Sequence, residues 1–324
     1  MSVTAGAAAG RGAGVLQWFV APVPRARLAA FRLLVYAFIP LEVLWIRASV
    51  IPHSYVPELY RPTWLARAVQ LPPLSVGVAT ALQWAILALV VAALAAVFLG
   101  RLQRTTGWLL AATFWVWMLN SMGFGYVSHD HLAMMVAVTV LPTAGVATLH
   151  DRTASEAAGW ALRCVQIAVV ATYFGSAVLK TLRAGSPAAW ANSAVFVWAI
   201  MRRGSDLVRW TLEVPLLLRV GQWGLLAIEF AAPAVLWLRG RWLYLGIATF
   251  CGFHLLTFAA LGIHFLPTVV CWAAFLPLER WRTLDVGSGS QHWRPTDSEP
   301  LAQGVTGGEP PAHPVHPRAG RDRG

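Results

Sequence analysis

The sequence has little charge for its length. Only 12% of its 324 residues are Asp, Glu, Lys or Arg, whereas 57% are hydrophobic. A soluble protein carries about 25% charged residues, and half that share cannot cover the surface of a globule in water. The composition therefore excludes a soluble enzyme, a disordered protein and a collagen-like fibre. It leaves an integral membrane protein.

Cysteine is scarce as well. Cys164, Cys251 and Cys271 are the three cysteines, and all lie inside apolar stretches, so no disulfide framework is indicated. The net charge of +11 is scattered over loops and tails, without the basic stripe and interleaved aromatic residues of a nucleic-acid-binding face. We predict no nucleic-acid partner and assign the positive charge to contact with an anionic membrane surface.

Long apolar runs are abundant. About 20 apolar residues are needed to cross a bilayer, and many of the 17 tryptophans flank such runs, as they do at bilayer interfaces. The predicted fold class is all-α, a polytopic integral membrane helix bundle with about eight transmembrane helices. The predicted segments are 28–46, 77–99, 105–122, 131–149, 157–180, 220–238, 242–260 and the short 263–278.

Composition divides the chain into three parts. Residues 1–24 are predicted to be a flexible N-terminal tail, residues 25–282 the transmembrane domain, and residues 283–324 a disordered tail with almost nothing to bury. The arginines of the short loops predict that both termini are cytoplasmic in a multi-pass plasma-membrane protein. The arginine-rich loop 183–219 falls on the outer side; we interpret it as an interfacial segment, with a lid over an outward-facing site as the alternative.

Ionisable residues in the predicted helices converge on the outer half of the bilayer. Each costs about 2.5–3.5 kcal/mol at a helix centre, so a functional or pairing role is expected for them. Arg32 and Arg163 fall in the inner half, where we expect them to snorkel to the cytoplasm. The outer residues are Glu42, His129, Asp130, His131, Lys180, Glu229, His254 and His264.

Two groups within this set invite specific interpretations. Glu229 and His254 lie at similar depth on consecutive antiparallel helices, and we predict that they form a buried pair lining or supporting a pocket, with a purely structural couple as the alternative. The triplet His129-Asp130-His131 fits either a helix N-terminus or part of a metal-ligand set. Two ligands on one turn do not make a metal site, and we predict none.

Lys180 is the only lysine, since the other 24 of the 25 basic residues are arginine. Arginine stays protonated in proteins, whereas a desolvated lysine can lose its proton near neutral pH. That property suits a general base or a Schiff-base amine. The alternative is a lysine that snorkels to the outer headgroups.

The segment 173–182 (YFGSAVLKTL), followed by Trp190, resembles the region around the essential lysine of vitamin K-dependent gamma-carboxylases. The triplet at 129–131 looks like the luminal histidine region of that family. The FHL at 253–255, with Gly262, Phe265 and the FLP at 275–277, looks like its late transmembrane signature. The resemblance covers residues 25–282, and this part of the chain is similar to the horizontally transferred transmembrane (HTTM) domain. The two-lysine run of the carboxylases is reduced here to Leu179-Lys180.

This resemblance implies a carboxylase-like lyase. In the carboxylases a deprotonated lysine starts the oxygenation of reduced vitamin K, and the strong base so formed removes a glutamate proton before carbon dioxide adds. By position, Lys180 would be that base and His129 would assist the later step. The implied cofactor is a reduced, vitamin K-like quinone with oxygen and carbon dioxide as co-substrates, and the partners are the lipid bilayer and a secreted peptide. The remaining pocket residues are predicted to be Asp130, His131, Glu229, His254 and Trp190.

Two other functions stay open. A non-catalytic membrane partner or transporter in the maturation of a secreted peptide or toxin would use the outer polar cluster to bind a solute or ion, although transporters commonly show inverted repeats and none is evident here. A metal-dependent membrane oxidoreductase is the other. It would rest on His129, His131, His254, His264 and Glu229.

Overall fold

The computed structural model of the chain describes residues 14–125 and 129–283 and shows a mostly helical fold. The described residues belong to one compact unit, Met1–Leu284. The second unit, Asp285–Gly324, lies outside the described residues, as do residues 1–13. Nearly all of the predicted C-terminal tail and half of the N-terminal tail therefore fall outside them.

The helices follow one another with short connections. Two strands of two residues each, β1 (Val23–Pro24) and β2 (Ala154–Ser155), pair in an antiparallel arrangement. Turns of 3₁₀-helix cover Pro57–Leu59, His129–His131, Leu141–Ala144, Trp210–Glu213, Ala232–Leu236, Trp272–Phe275 and Leu278–Thr283, and a π-helical turn covers Glu42–Ile46. Residues 14–19 are helical. After them, in chain order, the α-helices are α1 (Arg25–Leu41), α2 (Val50–His53), α3 (Trp64–Ala68), α4 (Val76–Leu99), α5 (Gln103–Met122), α6 (Leu132–Val140), α7 (Glu156–Ala184), α8 (Pro187–Trp190), α9 (Ala194–Arg203), α10 (Asp206–Arg209), α11 (Pro215–Ala231), α12 (Gly240–Leu261) and α13 (Leu266–Cys271).

Several helices have the length and composition of membrane spans. Within the described ranges, four stretches are long and apolar enough to cross a bilayer: Arg25–Ile46, Val76–Leu99, Glu156–Ala184 and Gly240–Leu261. A fifth is added if Asp206–Glu213 and Pro215–Leu236, bent by 113°, count as one span. The chain is therefore a helical protein with the features of a membrane protein.

Proline explains why other predicted segments are shorter than expected. A proline inside a helix lacks the N–H donor, and its ring clashes with the carbonyl four residues earlier. Helix α6 gives way to a 3₁₀ turn at Pro142, helix α11 does so at Pro233, and helix α1 passes into the π turn just after Pro40. The predicted segment 131–149 accordingly contains only nine residues of α-helix.

Contacts between distant residues define a basic end of the bundle. Arg27 donates two hydrogen bonds to the carboxylate of Glu279, at 2.8 and 2.7 Å, and Arg25 lies 3.4 Å from Asp151. Burial alone would raise the pKa of the Glu279 carboxyl, but the hydrogen bonds and charge of Arg27, with Arg280 nearby, outweigh it and hold that pKa below its ordinary value. The start of α1, the loop before α7 and the segment after α13 thus meet at this end.

The opposite end, which we call the cavity end, is defined by a second group of contacts. The hydroxyl of Thr268 donates to the carbonyl of Asp130 at 2.6 Å, and the hydroxyl of Ser205 donates to the carbonyl of Ala259 at 2.8 Å. His264 stacks on Trp45, with ring centroids 5.8 Å apart. The ends of α1 and α12 and the starts of α6 and α13 meet here.

Arg32 does not snorkel, contrary to the prediction. Its side chain is fully buried, and it donates hydrogen bonds to the side-chain oxygen of Gln103 and to the carbonyl of Leu141. The Gln103 amide donates in turn to the carbonyls of Ala96 and Ala147, at 3.2 and 2.9 Å. This network joins α1, α4, α5 and the end of α6, so the buried guanidinium has partners inside the bundle.

Residues 18–24 are packed against α7, which differs from the flexible tail predicted for this part of residues 1–24. Strand β1 pairs with β2, and Trp18 lies beneath the guanidinium of Arg163, which is 4.0 Å from the ring centroid. A Cβ atom placed on Gly159 would lie 1.9 Å from the carbonyl oxygen of Ala21. Glycine at this position therefore permits the close approach.

We expect Gly159→Ala to lower the melting temperature, because the new methyl group collides with backbone atoms that must move. Overpacking of this kind costs about 1–3 kcal/mol. Gly175→Ala is the matched control on the same helix, since nothing lies within 4 Å of a Cβ atom there. The measurement is thermal unfolding in detergent, and equal melting temperatures for the two variants would contradict the packed N-terminal segment.

Candidate functional site

A cavity of about 780 Å³ lies between α7, α9, α11 and α12, with the start of α13 at one side. Most of its wall is apolar, formed by Val, Leu, Ile, Ala and Phe side chains. A few polar groups in a mostly apolar pocket of this size are typical of small-molecule sites. The residues of the wall that carry an ionisable, hydroxyl or indole group and are discussed below are His129, Tyr173, Ser176, Lys180, Trp190, Glu229 and His254.

The predicted residue Lys180 lies in this wall and forms an ion pair with Glu229. Its amine Nζ is 2.6 Å from both carboxylate oxygens of Glu229. The hydroxyl of Ser176 also contacts Oε1 of Glu229, at 3.4 Å. The Lys180 side chain is 25% exposed and that of Glu229 only 6%. The pair is thus largely withdrawn from solvent, and the lysine is its more accessible partner.

Trp190 covers the amine from the other side. The Nζ of Lys180 lies 5.0 Å from the centroid of the Trp190 ring, within the range of a cation–π contact. Trp190 ends the short helix α8, and its carbonyl accepts a hydrogen bond from the buried Gln222 at 3.0 Å. The amine of Lys180 is therefore held between a carboxylate and an aromatic ring.

His254 pairs with Tyr173, not with Glu229 as predicted. Its Nε2 hydrogen-bonds the hydroxyl of Tyr173 at 2.5 Å, and that hydroxyl accepts from the indole N–H of Trp272 at 3.0 Å. Tyr173 and Lys180 lie seven residues apart on α7, about 10 Å along the helix at 1.5 Å per residue. Glu229 meets one end of that stretch and His254 the other, which explains why the predicted pairing is wrong.

The His129-Asp130-His131 triplet is divided between two environments. His129 lies in the cavity wall, with its ring centroid 6.4 Å from that of Phe265. The three residues form a 3₁₀ turn, in which successive side chains point about 120° apart. Asp130 and His131 accordingly do not line the cavity, so their prediction as pocket residues is corrected.

His131 is the centre of a buried charged cluster beside the cavity. Its Nε2 lies 2.5 Å from Oε1 of Glu42 and its Nδ1 lies 3.1 Å from Oδ1 of Asp130, and the guanidinium of Arg47 is 3.3 Å from both ring nitrogens. Burial would raise the pKa of the Asp130 carboxyl, but His131, helped by Arg47 and His129, outweighs burial and holds that pKa below its ordinary value. The cluster joins the π turn after α1 to the start of α6.

The arginine-rich segment 183–219 forms one wall of the cavity. Val195 and Ile200 of α9, together with Trp190 and Thr211, line it. Arg202 lies over Trp198, 5.1 Å from the ring centroid. The segment thus borders the site, as the alternative interpretation of a lid expects.

Sequence reasoning missed Tyr173, Ser176, Trp272 and Gln222. The first two share a face of α7 with Lys180, at spacings of seven and four residues, and residues so spaced are neighbours on a helix surface. That spacing was available as a signal. Trp272 and Gln222 reach the site by packing, which the sequence pattern does not reveal.

No metal centre is evident in the part of the chain that the structure describes. Within those residues, no three His, Cys, Asp or Glu side chains are placed to hold a metal ion. The five residues of the metal-dependent oxidoreductase hypothesis are therefore not brought together as a ligand set. No known family, curated protein or solved structure matches the chain.

We expect His254→Ala to lower the melting temperature and the folded yield in detergent more than His264→Ala does. The first change leaves the buried hydroxyl of Tyr173 without its histidine partner, a loss of about 1–3 kcal/mol, whereas His264 only stacks on Trp45. Tyr173→Phe removes the same hydrogen bond and should also destabilise the protein. If both histidine variants melt together, the Tyr173–His254 contact does not stabilise the fold.

Proposed function

We propose that the chain is a multi-pass plasma-membrane enzyme of the carboxylase-like class, with an outward-facing cavity that binds a lipid-tailed quinol and with Lys180 as general base. The observation that carries this proposal is the ion pair of Lys180 and Glu229 in the wall of a large apolar cavity. Buried ionisable residues in membrane helices commonly mark functional sites.

The cavity fits a molecule with an aromatic head and an apolar tail. Its volume of about 780 Å³ lies within the usual range for small-molecule pockets. Phe253 and Phe265 add aromatic surface to that of Trp190. A bound quinol would supply the reducing equivalents and the acidic hydroxyl for oxygenation, as the resemblance to the carboxylases implies.

Access from the bilayer is consistent with the surface around the cavity. Leu217 and Leu256 line it and are 43% and 60% exposed. Only 17% of the most apolar stretch of α12 is buried, so much of this helix would face lipid. A lipid-tailed molecule would then reach the cavity past α11 and α12 without leaving the membrane.

Lys180 and Glu229 are placed to transfer a proton. The 2.6 Å distances would allow a proton to pass from Nζ to a carboxylate oxygen of Glu229. The unprotonated amine would then accept a proton from the hydroxyl of the bound molecule. His129, at the exposed side of the cavity, would assist the later step, in which a glutamate of a secreted peptide reacts with carbon dioxide.

The proposed topology has eight passes with both termini cytoplasmic, and the two ends of the bundle are consistent with that orientation. Arg25, Arg27 and Arg239 lie at the basic end, which the positive-inside rule places in the cytoplasm. Lys180 lies near the far end of α7, so the cavity would face outward. The passes through α6 and α13 contain the shortest α-helices, nine and six residues long.

Reporter fusions should test this topology. We expect fusions after Gly100, Asp151 and Gly240 to report a cytoplasmic location and a fusion after Gly125 to report an external one. The pair at Gly125 and Asp151 brackets the short α6 pass. An external signal at Gly100, or the same location for Gly125 and Asp151, would contradict the proposed orientation.

The enzymatic proposal is tested with Lys180→Arg. Arginine keeps the positive charge and an extended side chain but cannot act as a base, so activity should fall about 10²–10⁴-fold. The measurement is oxygenation of a reduced naphthoquinone, and fixation of labelled carbon dioxide into a glutamate-containing peptide, by purified protein in liposomes.

His264→Ala is the control, because His264 does not line the cavity. It should retain activity. Full activity of a well-folded Lys180→Arg variant would reject the general base. Absence of turnover in the unaltered protein would instead favour the non-catalytic partner or transporter in secreted-peptide maturation.

A further inference from the structure

A second, smaller cavity of about 200 Å³ lies at the basic end. Its wall comes from the segment before α1, the first turns of α7, the end of the 3₁₀ turn after α11 and the start of α12. Three arginines, Arg27, Arg163 and Arg239, share this small space with Gln166. This second cavity is separate from the larger one, and neither Lys180 nor Glu229 lines it.

The positive charge around this cavity is only partly compensated. Arg27 is paired with Glu279. Arg163 donates to the side-chain oxygen of Gln166 at 2.6 Å, and Arg239 donates to the carbonyl of Leu238 at 3.2 Å. Within the described residues neither of these two has a carboxylate partner, and Arg239 is close enough to Arg163 to repel its charge. An anion in the cavity would relieve that repulsion.

Three tryptophans lie close to the cavity in the structure or in the sequence. Trp18 lies under Arg163 and stacks on Trp237, with ring centroids 6.1 Å apart. Trp237 and Trp242 are 63% and 56% exposed, and Arg241 lies over the latter ring at 5.2 Å. Tryptophan and arginine together mark the membrane–water interface. By that pattern, the basic end would lie near the lipid headgroups.

We propose that this cavity binds the phosphate of an anionic membrane phospholipid, with Arg163 and Arg239 as its charged partners. Basic pockets between membrane helices on the cytoplasmic side commonly bind such headgroups. The guanidinium groups suit phosphate oxygens because each presents several N–H donors in one plane. The nearby exposed tryptophans favour a lipid over free phosphate, since the acyl chains would lie along their rings and the apolar faces of α7 and α12. This proposal is independent of the reaction at the other cavity.

The test compares ligands on the full-length protein purified in detergent. Phosphatidylglycerol should raise the melting temperature in a concentration-dependent way. Phosphatidylcholine at the same concentration and inorganic phosphate should have little effect. Arg239→Gln should weaken the apparent affinity for phosphatidylglycerol about five-fold, the size expected for one basic residue near an anionic lipid surface.

Arg202→Gln is the matched control, because it removes one exposed arginine, as Arg239→Gln does, but from the segment at the other cavity. It should respond to phosphatidylglycerol as the unaltered protein does. Arg163→Gln should reproduce the loss; if it does not fold, Arg239→Gln decides alone. An undiminished response of Arg239→Gln, or no response of the unaltered protein, would overturn the proposal. A full response to inorganic phosphate alone would overturn the assignment to a lipid.

Discussion

Lys180 and Glu229 face each other inside a wall of apolar side chains, and neither charge would be stable there alone. The amine is 2.6 Å from both carboxylate oxygens, and removing one member of a buried pair costs about 3–5 kcal/mol. The pair therefore fixes the distance between α7 and α11. It also leaves one polar point in a cavity that is otherwise suited to an apolar molecule, and this combination gives the site its chemical character.

Helix α7 carries this arrangement from one end of the protein to the other. It is 29 residues long, begins at the capping hydroxyl of Ser155 and ends at Gly185, whose φ of +83° is in the left-handed region. Its length of about 43 Å exceeds the 30 Å hydrocarbon core. Gly159 anchors its first turns to the N-terminal segment, while Lys180 lies near its far end. The two cavities thus lie at opposite ends of one rigid element.

The sequence predicted the helical class and drew attention to Lys180, which lines the cavity, because composition and a lone lysine are visible without a structure. It also placed Trp190 and Glu229 in one pocket, and both line the cavity with Lys180. The sequence did not reveal which side chains contact each other. Depth along a helix gives one coordinate only, so Glu229 and His254 looked adjacent although each meets a different part of α7. Helix lengths were overestimated where proline, as at Pro142, ends the regular hydrogen bonding.

A double-mutant cycle on Lys180 and Glu229 tests the buried ion pair most directly. Lys180→Met and Glu229→Gln are measured singly and together by equilibrium unfolding or melting temperature in detergent. Each single change leaves one buried polar partner uncompensated. The loss of stability in the double variant should therefore be smaller than the sum of the two single losses. We predict that the double variant is at least as stable as the less stable of the two single variants. Strictly additive losses would contradict a direct, buried ion pair at this site.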